Sequence, residues 1–251
     1  MTTTTRGRVR VEVSTKRVRV LFGGEIIADT TRPKLVWEKP YYPTYYFRAD
    51  DVRTEALVAT GATEHSPSRG DARVHDVVVG DRTAEGAVWW YTTPEIEDLA
   101  DTVRFDWAAM DAWFEEDEQV YVHPRDPYKR IDVLQSSRQV RVEVDGVTVA
   151  ESNRPRLLFE TGLPARYYLP KTDVRLDLLT PTDHVTSCPY KGDAEYYNLT
   201  AGDTTHENLV WWYRHPTLES VQIAGYVSFY NEKVDLYVDG QLQERPRTPF
   251  S

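Results

Sequence analysis

Cysteine is almost absent from this chain. Its 251 residues include one, Cys188, which excludes an intramolecular disulfide and any zinc centre built from several thiolates, and suits a reducing cytoplasm. Positive charge is also scarce: 30 Lys and Arg face 40 Asp and Glu, for a net charge of −10. Attraction to a phosphate backbone depends on clustered cations releasing counterions, so nucleic acid is not an expected partner. No stretch approaches the roughly 18 consecutive apolar residues of a membrane helix, and the Thr- and Arg-rich start lacks the apolar segment of a secretory signal. The expectation is a soluble, cytoplasmic, unprocessed protein with residues 1–7 frayed and no membrane, metal or cofactor requirement. What the chain has in excess is aromatic: 16 Tyr and 7 Trp, rings that pack as large hydrophobes yet carry a polar edge suited to pocket walls.

The dominant pattern is a repeat. Shifting the chain by 122 residues lays Val18-Arg19-Val20 on Val140-Arg141-Val142, Arg32-Pro33 on Arg154-Pro155, Tyr45-Tyr46 on Tyr167-Tyr168, and Val88-Trp89-Trp90-Tyr91 on Val210-Trp211-Trp212-Tyr213. Between Val18 and Glu97, 30 of 80 aligned positions are identical without a gap, so the chain is one domain written twice. The reading divides it into 1–15 (tail and possible first strand), 16–122 (first repeat), 123–137 (linker) and 138–251 (second repeat). The linker contains Pro but no Gly, which predicts an extended, packed connector and a fixed pair of domains.

Each copy reads as mainly β. Val140 to Val144 alternates apolar and polar, turns at Asp145-Gly146 and resumes at Val147; Asp-Gly favours the tight primed turn that matches strand twist. Further strands are expected at Leu35–Trp37 and Leu157–Phe159, at Ala87–Tyr91 and Leu209–Tyr213, and at Val103–Trp107 and Gly225–Tyr230. One or two short helices per copy are predicted within Pro94–Asp101, Pro216–Ile223 and Trp107–Glu115.

These motifs, with Cys188-Pro189-Tyr190-Lys191-Gly192, Trp211-Trp212-Tyr213-Arg214 and His123-Pro124-Arg125-Asp126-Pro127-Tyr128, resemble the family catalogued as domain of unknown function 427, also labelled nucleotidyltransferase-like. The resemblance spans nearly the whole chain as two copies. It implies a small twisted β domain similar to the β-tent fold of methionine sulfoxide reductase B and the thalidomide-binding domain of cereblon. Those relatives hold zinc with four cysteines, which this chain does not have. The family label implies no established activity, and the glycine-serine turn and clustered carboxylates of a nucleotidyltransferase are not evident.

Three functional readings follow. The leading one is a small-molecule-binding protein with aromatic-lined pockets, the ligand of unknown identity. Its candidate contacts are Tyr45, Trp90, Tyr167 and Trp212, with Arg32 or Arg154 facing an anion, and Tyr190 and Lys191 in the Cys188 turn. The second is an enzyme using Cys188 as its catalytic group, with Lys191 lowering the thiol pKa and His184, His206 or His215 as base; copy one, with Ser66 in register, lacks that thiol. The third is a protein-interaction module with an acidic face at Glu115–Glu118. Repeated charges, Arg32 with Glu38 and Asp51 with Arg53, are expected as structural ion pairs. On strand geometry Trp89 and Tyr91 share one face and Trp90 takes the other, so either an aromatic lies outside the core or the strand is buried on both sides.

Overall fold

The computed structural model describes residues 3–6 and 9–248. The chain separates into two compact units, Met1–Asp126 and Pro127–Ser251, each all-antiparallel. The first contains β1 (Thr3–Arg6), β2 (Val9–Val13), β3 (Val18–Phe22), β4 (Glu25–Thr30), β5 (Lys34–Trp37), β6 (Thr44–Arg48), β7 (Leu57–Ser66), β8 (Gly70–Val79), β9 (Arg82–Pro94), β10 (Thr102–Phe105), β11 (Ala112–Glu115) and β12 (Glu118–Val120). The second contains β13 (Ile131–Gln135), β14 (Val140–Val144), β15 (Val147–Ser152), β16 (Arg156–Glu160), β17 (Arg166–Pro170), β18 (Leu179–Cys188), β19 (Gly192–Ala201), β20 (Thr204–Tyr213), β21 (Tyr226–Phe229), β22 (Asp235–Val238) and β23 (Gln241–Leu242).

Both units use one topology. The large sheet runs β1-β2-β5-β6-β10-β9-β8-β7 in the first and β13-β16-β17-β21-β20-β19-β18 in the second; the small sheets run β12-β11-β3-β4 and β23-β22-β14-β15. Apart from β1, strand order matches element for element. The repeat also reaches further upstream than Val18, because β2 and β13 occupy the same place beside β5 and β16.

The expected hairpin forms at Asp145-Gly146, both residues at positive φ (51° and 77°), and Val140, Val142 and Val144 point inward while Arg141 and Glu143 are half-buried between them. The inter-sheet core of the first unit gathers Val18, Val20 and Phe22 against Tyr45, Phe47, Val88 and Phe105. A second core lies on the other face of the large sheet, where Val11, Tyr46 and Tyr91 meet Ile96 and Leu99 from the β9–β10 turn. The same pair of cores recurs in the second unit. Strand β9 is therefore buried on both sides: Trp90 packs on the inter-sheet core and Trp89 on the outer one.

Three expectations change. The helices among the described residues are all short 3-10 turns, two of which, Glu97–Leu99 and Leu218–Ile223, fall in expected segments, whereas Trp107–Glu115 holds no helix but a turn followed by strand β11. That strand forms because Ala112–Glu115 completes hydrogen bonds along β3, which an isolated amphipathic helix would leave unpaired. Within the stretch read as frayed, Thr3–Arg6 pairs with β2, and residues 1, 2 and 7 lie outside the described residues. The segment 123–137 is shared between the units: His123 stacks on Tyr42 with ring centroids 3.9 Å apart, Asp126 accepts from Trp37 Nε1 at 2.9 Å, and residues 131–135 are strand β13.

Candidate functional site

On the outer face of the first unit's large sheet a polar cluster is set among rings. Glu38, just past β5, accepts from the Tyr46 hydroxyl at 2.8 Å and pairs with Arg69 and, at 3.3 Å, with Arg104 Nε. Arg69 also donates to Tyr46 Oη (3.0 Å) and Ser66 Oγ (3.1 Å), and Arg104 lies 4.2 Å over the Trp89 ring. Arg69 is carried by the β7–β8 turn, which closes at Gly70; there φ is 90° and a Cβ would lie 2.7 Å from the Glu95 nitrogen, so only glycine fits. The second unit repeats the pair as Glu160 and Lys191. Burial pushes the hydroxyls of Tyr46, Tyr168 and Tyr213 above the usual tyrosine range. Glu38 thus pairs with Arg69 and Arg104 rather than the expected Arg32. Asp51 likewise accepts from Thr30 at 2.7 Å, while Arg53 pairs with Glu25 and Glu55.

Cys188 ends β18 in the second unit, at the start of the turn that carries Lys191, half-buried and free of any disulfide. Three of the four residues proposed to activate it, Lys191, His184 and His206, have partners of their own. Lys191 gives its ammonium to Glu160, His184 packs on Tyr196 with ring centroids 4.6 Å apart and planes tilted by 56°, and His206 pairs with Asp145 at 2.7 Å. Tyr190 is buried, and its carbonyl accepts from Thr217 and Ser220.

The other aromatic candidates do not form one wall. Trp90 donates Nε1 to Asp101 at 2.9 Å and packs on His75. Trp212 is covered by the Lys171 ammonium, 3.1 Å above its ring. Arg32 is exposed. Arg154 lines a polar groove of about 530 Å³ with Gln139, Glu151 and Ser152, but its charge is met by Asp173 at 2.7 Å. In the acidic run, Glu115 binds Lys16 and Tyr45, and Asp117 binds Arg19.

Tyr45 and Tyr167 occupy one end of their sandwiches, and there the copies part. In the first unit Tyr45 is buried and stacks on Trp113, with centroids 6.1 Å apart. Trp113 stacks in turn on Trp107 at 4.4 Å and 6° and donates Nε1 to the Trp107 carbonyl at 3.1 Å. In the second unit Leu236 pairs with Val142 as Trp113 pairs with Val20, and Asn231 lies two residues past Phe229 as Trp107 lies two past Phe105. Both indoles are lost. In their place lies a cavity of about 140 Å³ bordered by Tyr167, Asn231, Leu236 and, from the segment after β23, Gln243, Glu244 and Pro246.

The family model described as Domain of unknown function (DUF427) matches residues 10–116 and again 132–240. The chain belongs to that family. Its two matched segments begin at Arg10 and Asp132, the equivalent positions of β2 and β13, so each DUF427 copy is one of the two units. No curated protein matches the chain in sequence. Among the described residues no group of three or more His, Cys, Asp or Glu side chains is placed to hold a metal ion. The two DUF427 copies therefore share a scaffold and the glutamate–cation pair of the outer cluster, and they differ at the Tyr45/Tyr167 end. Of the predicted contacts, only Tyr167 borders that cavity. Asn231 and Leu236 went unrecognised because each gains meaning only from the residue it replaces in the other copy, and Gln243 and Glu244 because they follow the last strand and carry no motif.

Proposed function

We propose that this DUF427 protein binds a small molecule in its second unit, at the cavity bordered by Tyr167, with the first unit as a self-filled copy. The carrying observation is that one end of the sandwich is packed by Trp107 and Trp113 in one copy, while Asn231 and Leu236 leave about 140 Å³ open in the other. Concave sites with an apolar wall and a few fixed polar groups are the usual form of a ligand site. The alternatives gain less support. A Cys188 enzyme needs an activated thiol, and Lys191, expected to lower its pKa, is committed to Glu160, while His184 packs on Tyr196 and His206 pairs with Asp145. An acidic docking face needs free carboxylates, and Glu115 and Asp117 are paired within the unit.

The test is a fragment screen on the full chain by protein-observed NMR, repeated with Leu236→Trp. Fragments should shift resonances around Tyr167, and the substitution, which supplies the first unit's residue, should abolish those shifts. A screen without shifts there, or shifts unaffected by Leu236→Trp, rejects the reading.

A further inference from the structure

We infer that the ligand is a planar aromatic molecule of one or two fused rings that carries a hydrogen-bond donor and is neutral or cationic. This rests on the proposed site and goes further by naming what it takes. Shape comes from the copy comparison. In the first unit this end accepts flat rings layered on Tyr45, and the second unit keeps the tyrosine as Tyr167 but not the indoles. A cavity of about 140 Å³ is close to the roughly 150 Å³ that holds a benzene in an engineered protein core.

Polarity comes from the remaining walls. Asn231 commits Nδ2 to the Ala165 carbonyl at 2.9 Å, and Gln243 commits Nε2 to the Gln241 carbonyl at 2.9 Å. Each keeps its amide oxygen as an acceptor, beside the one amide N–H that these bonds do not use. Glu244 is exposed and brings a carboxylate to the rim. The nearby cations are neutralised, Arg166 by Glu232 and Arg245 by Asp235, all at 2.7 Å. Two amide oxygens and a carboxylate thus belong to the wall and rim, and the two arginines beside them are paired, which favours a ring N–H or an ammonium and disfavours an anion. The first unit satisfies the same need internally, with the Trp113 N–H on a carbonyl.

The experiment titrates the full chain by NMR with five probes: indole, tryptamine, indene, indole-3-acetate and cyclohexylamine. Indole and tryptamine should shift the Tyr167 region, indene and indole-3-acetate should bind at least about tenfold more weakly than either, and cyclohexylamine should not compete. Glu244→Gln should weaken tryptamine about threefold and leave indole unchanged. Indole-3-acetate or indene equalling tryptamine, or cyclohexylamine displacing it, overturns the ligand class while leaving the site standing. If none of the five binds at Tyr167, or if binding survives both Leu236→Trp and Asn231→Trp, the site falls and the ligand class with it.

Discussion

Substituting Trp113→Leu gives the first unit the residue that the second carries, and its cost can be worked from the second unit's cavity. Core cavities cost about 24 cal/mol per Å³; the 140 Å³ beside Leu236 stands where two indoles are lost, so one indole's share, about half of it, corresponds to about 2 kcal/mol. The stacks with Tyr45 and Trp107 add about 0.5–1.5 kcal/mol each. Movement of Trp107 into the space offsets part of this, leaving an expected loss of about 3 kcal/mol. The assay is hydrogen exchange read by mass spectrometry on the full chain, since peptides from residues 1–126 and 127–251 report the units separately. Protection should fall in the first unit by that amount and stay unchanged in the second. A loss below about 1 kcal/mol would falsify the claim that these indoles are structural filling. An equal loss in both units would contradict their being separate cores.

Arg166 and Glu232 form a buried two-bond ion pair, both bonds 2.7 Å. Arg166→Met strands the carboxylate and should cost about 3–5 kcal/mol in urea unfolding, whereas Arg166→Met with Glu232→Leu should recover most of it; a double variant no better than the single one refutes this. On the acid side, Asp173 is held low by hydrogen bonds from Arg154, which outweigh its desolvation, with further help from Ser152 and Thr172. Burial works against the Glu232 charge, but hydrogen bonds from Arg166 and Thr248 keep that group low as well. Depressed carboxylates contribute stability that is present above their unfolded values near pH 4 and is lost as pH falls through the folded ones. The urea midpoint should therefore drop below about pH 4, and a midpoint flat to pH 2 refutes it. On the alkaline side the raised hydroxyls of Tyr46, Tyr168 and Tyr213 contribute stability present below about pH 10 and lost as pH rises through their folded values. Tyrosinate absorbance should then rise in two phases, the later one coinciding with unfolding.

The duplication and the hairpins were legible because they rest on local signals: alternation in Val140–Val144, the Asp145-Gly146 turn, and identities such as Arg32-Pro33 with Arg154-Pro155. Strand β7 escaped notice because it is an edge strand, exposed along nearly its whole length, and so lacks the apolar alternation that betrays a half-buried strand. Trp107–Glu115 mixes rings and acids at near-helical spacing, and only the open edge of β3 decides for strand. The Glu38–Arg69 pair spans 31 residues and was invisible to reading near neighbours. The cavity was hidden for a different reason. A constant offset of 122 holds up to Glu97, but the turn before β21 is longer than its counterpart, Leu218–Ile223 against Glu97–Leu99. From there Thr102–Phe105 corresponds to Tyr226–Phe229 at an offset of 124. Trp107 opposite Asn231 and Trp113 opposite Leu236 therefore never met in the alignment.

The walls of a void on this scale relax only in part, and the second unit has features that oppose even that. Two wall residues, Ala165 and Asn231, immediately precede Arg166 and Glu232, the bidentate pair; the first unit has Thr44 and Ala108 at those positions. The segment that forms the third wall is pinned twice, by Arg245 to Asp235 at 2.7 Å and by Thr248 to Glu232 at 2.6 Å. Glu232 thus ties the large sheet to the chain crossing the open end, and the cavity is held in shape before any ligand arrives, which lowers the ordering cost of binding. Thr248→Val isolates this effect, because it removes one tie and leaves Arg166 paired with Glu232. It should change global stability by less than about 1 kcal/mol and weaken indole severalfold by loosening the Gln243–Pro246 wall. Unchanged affinity would mean that the segment lines the site without shaping it.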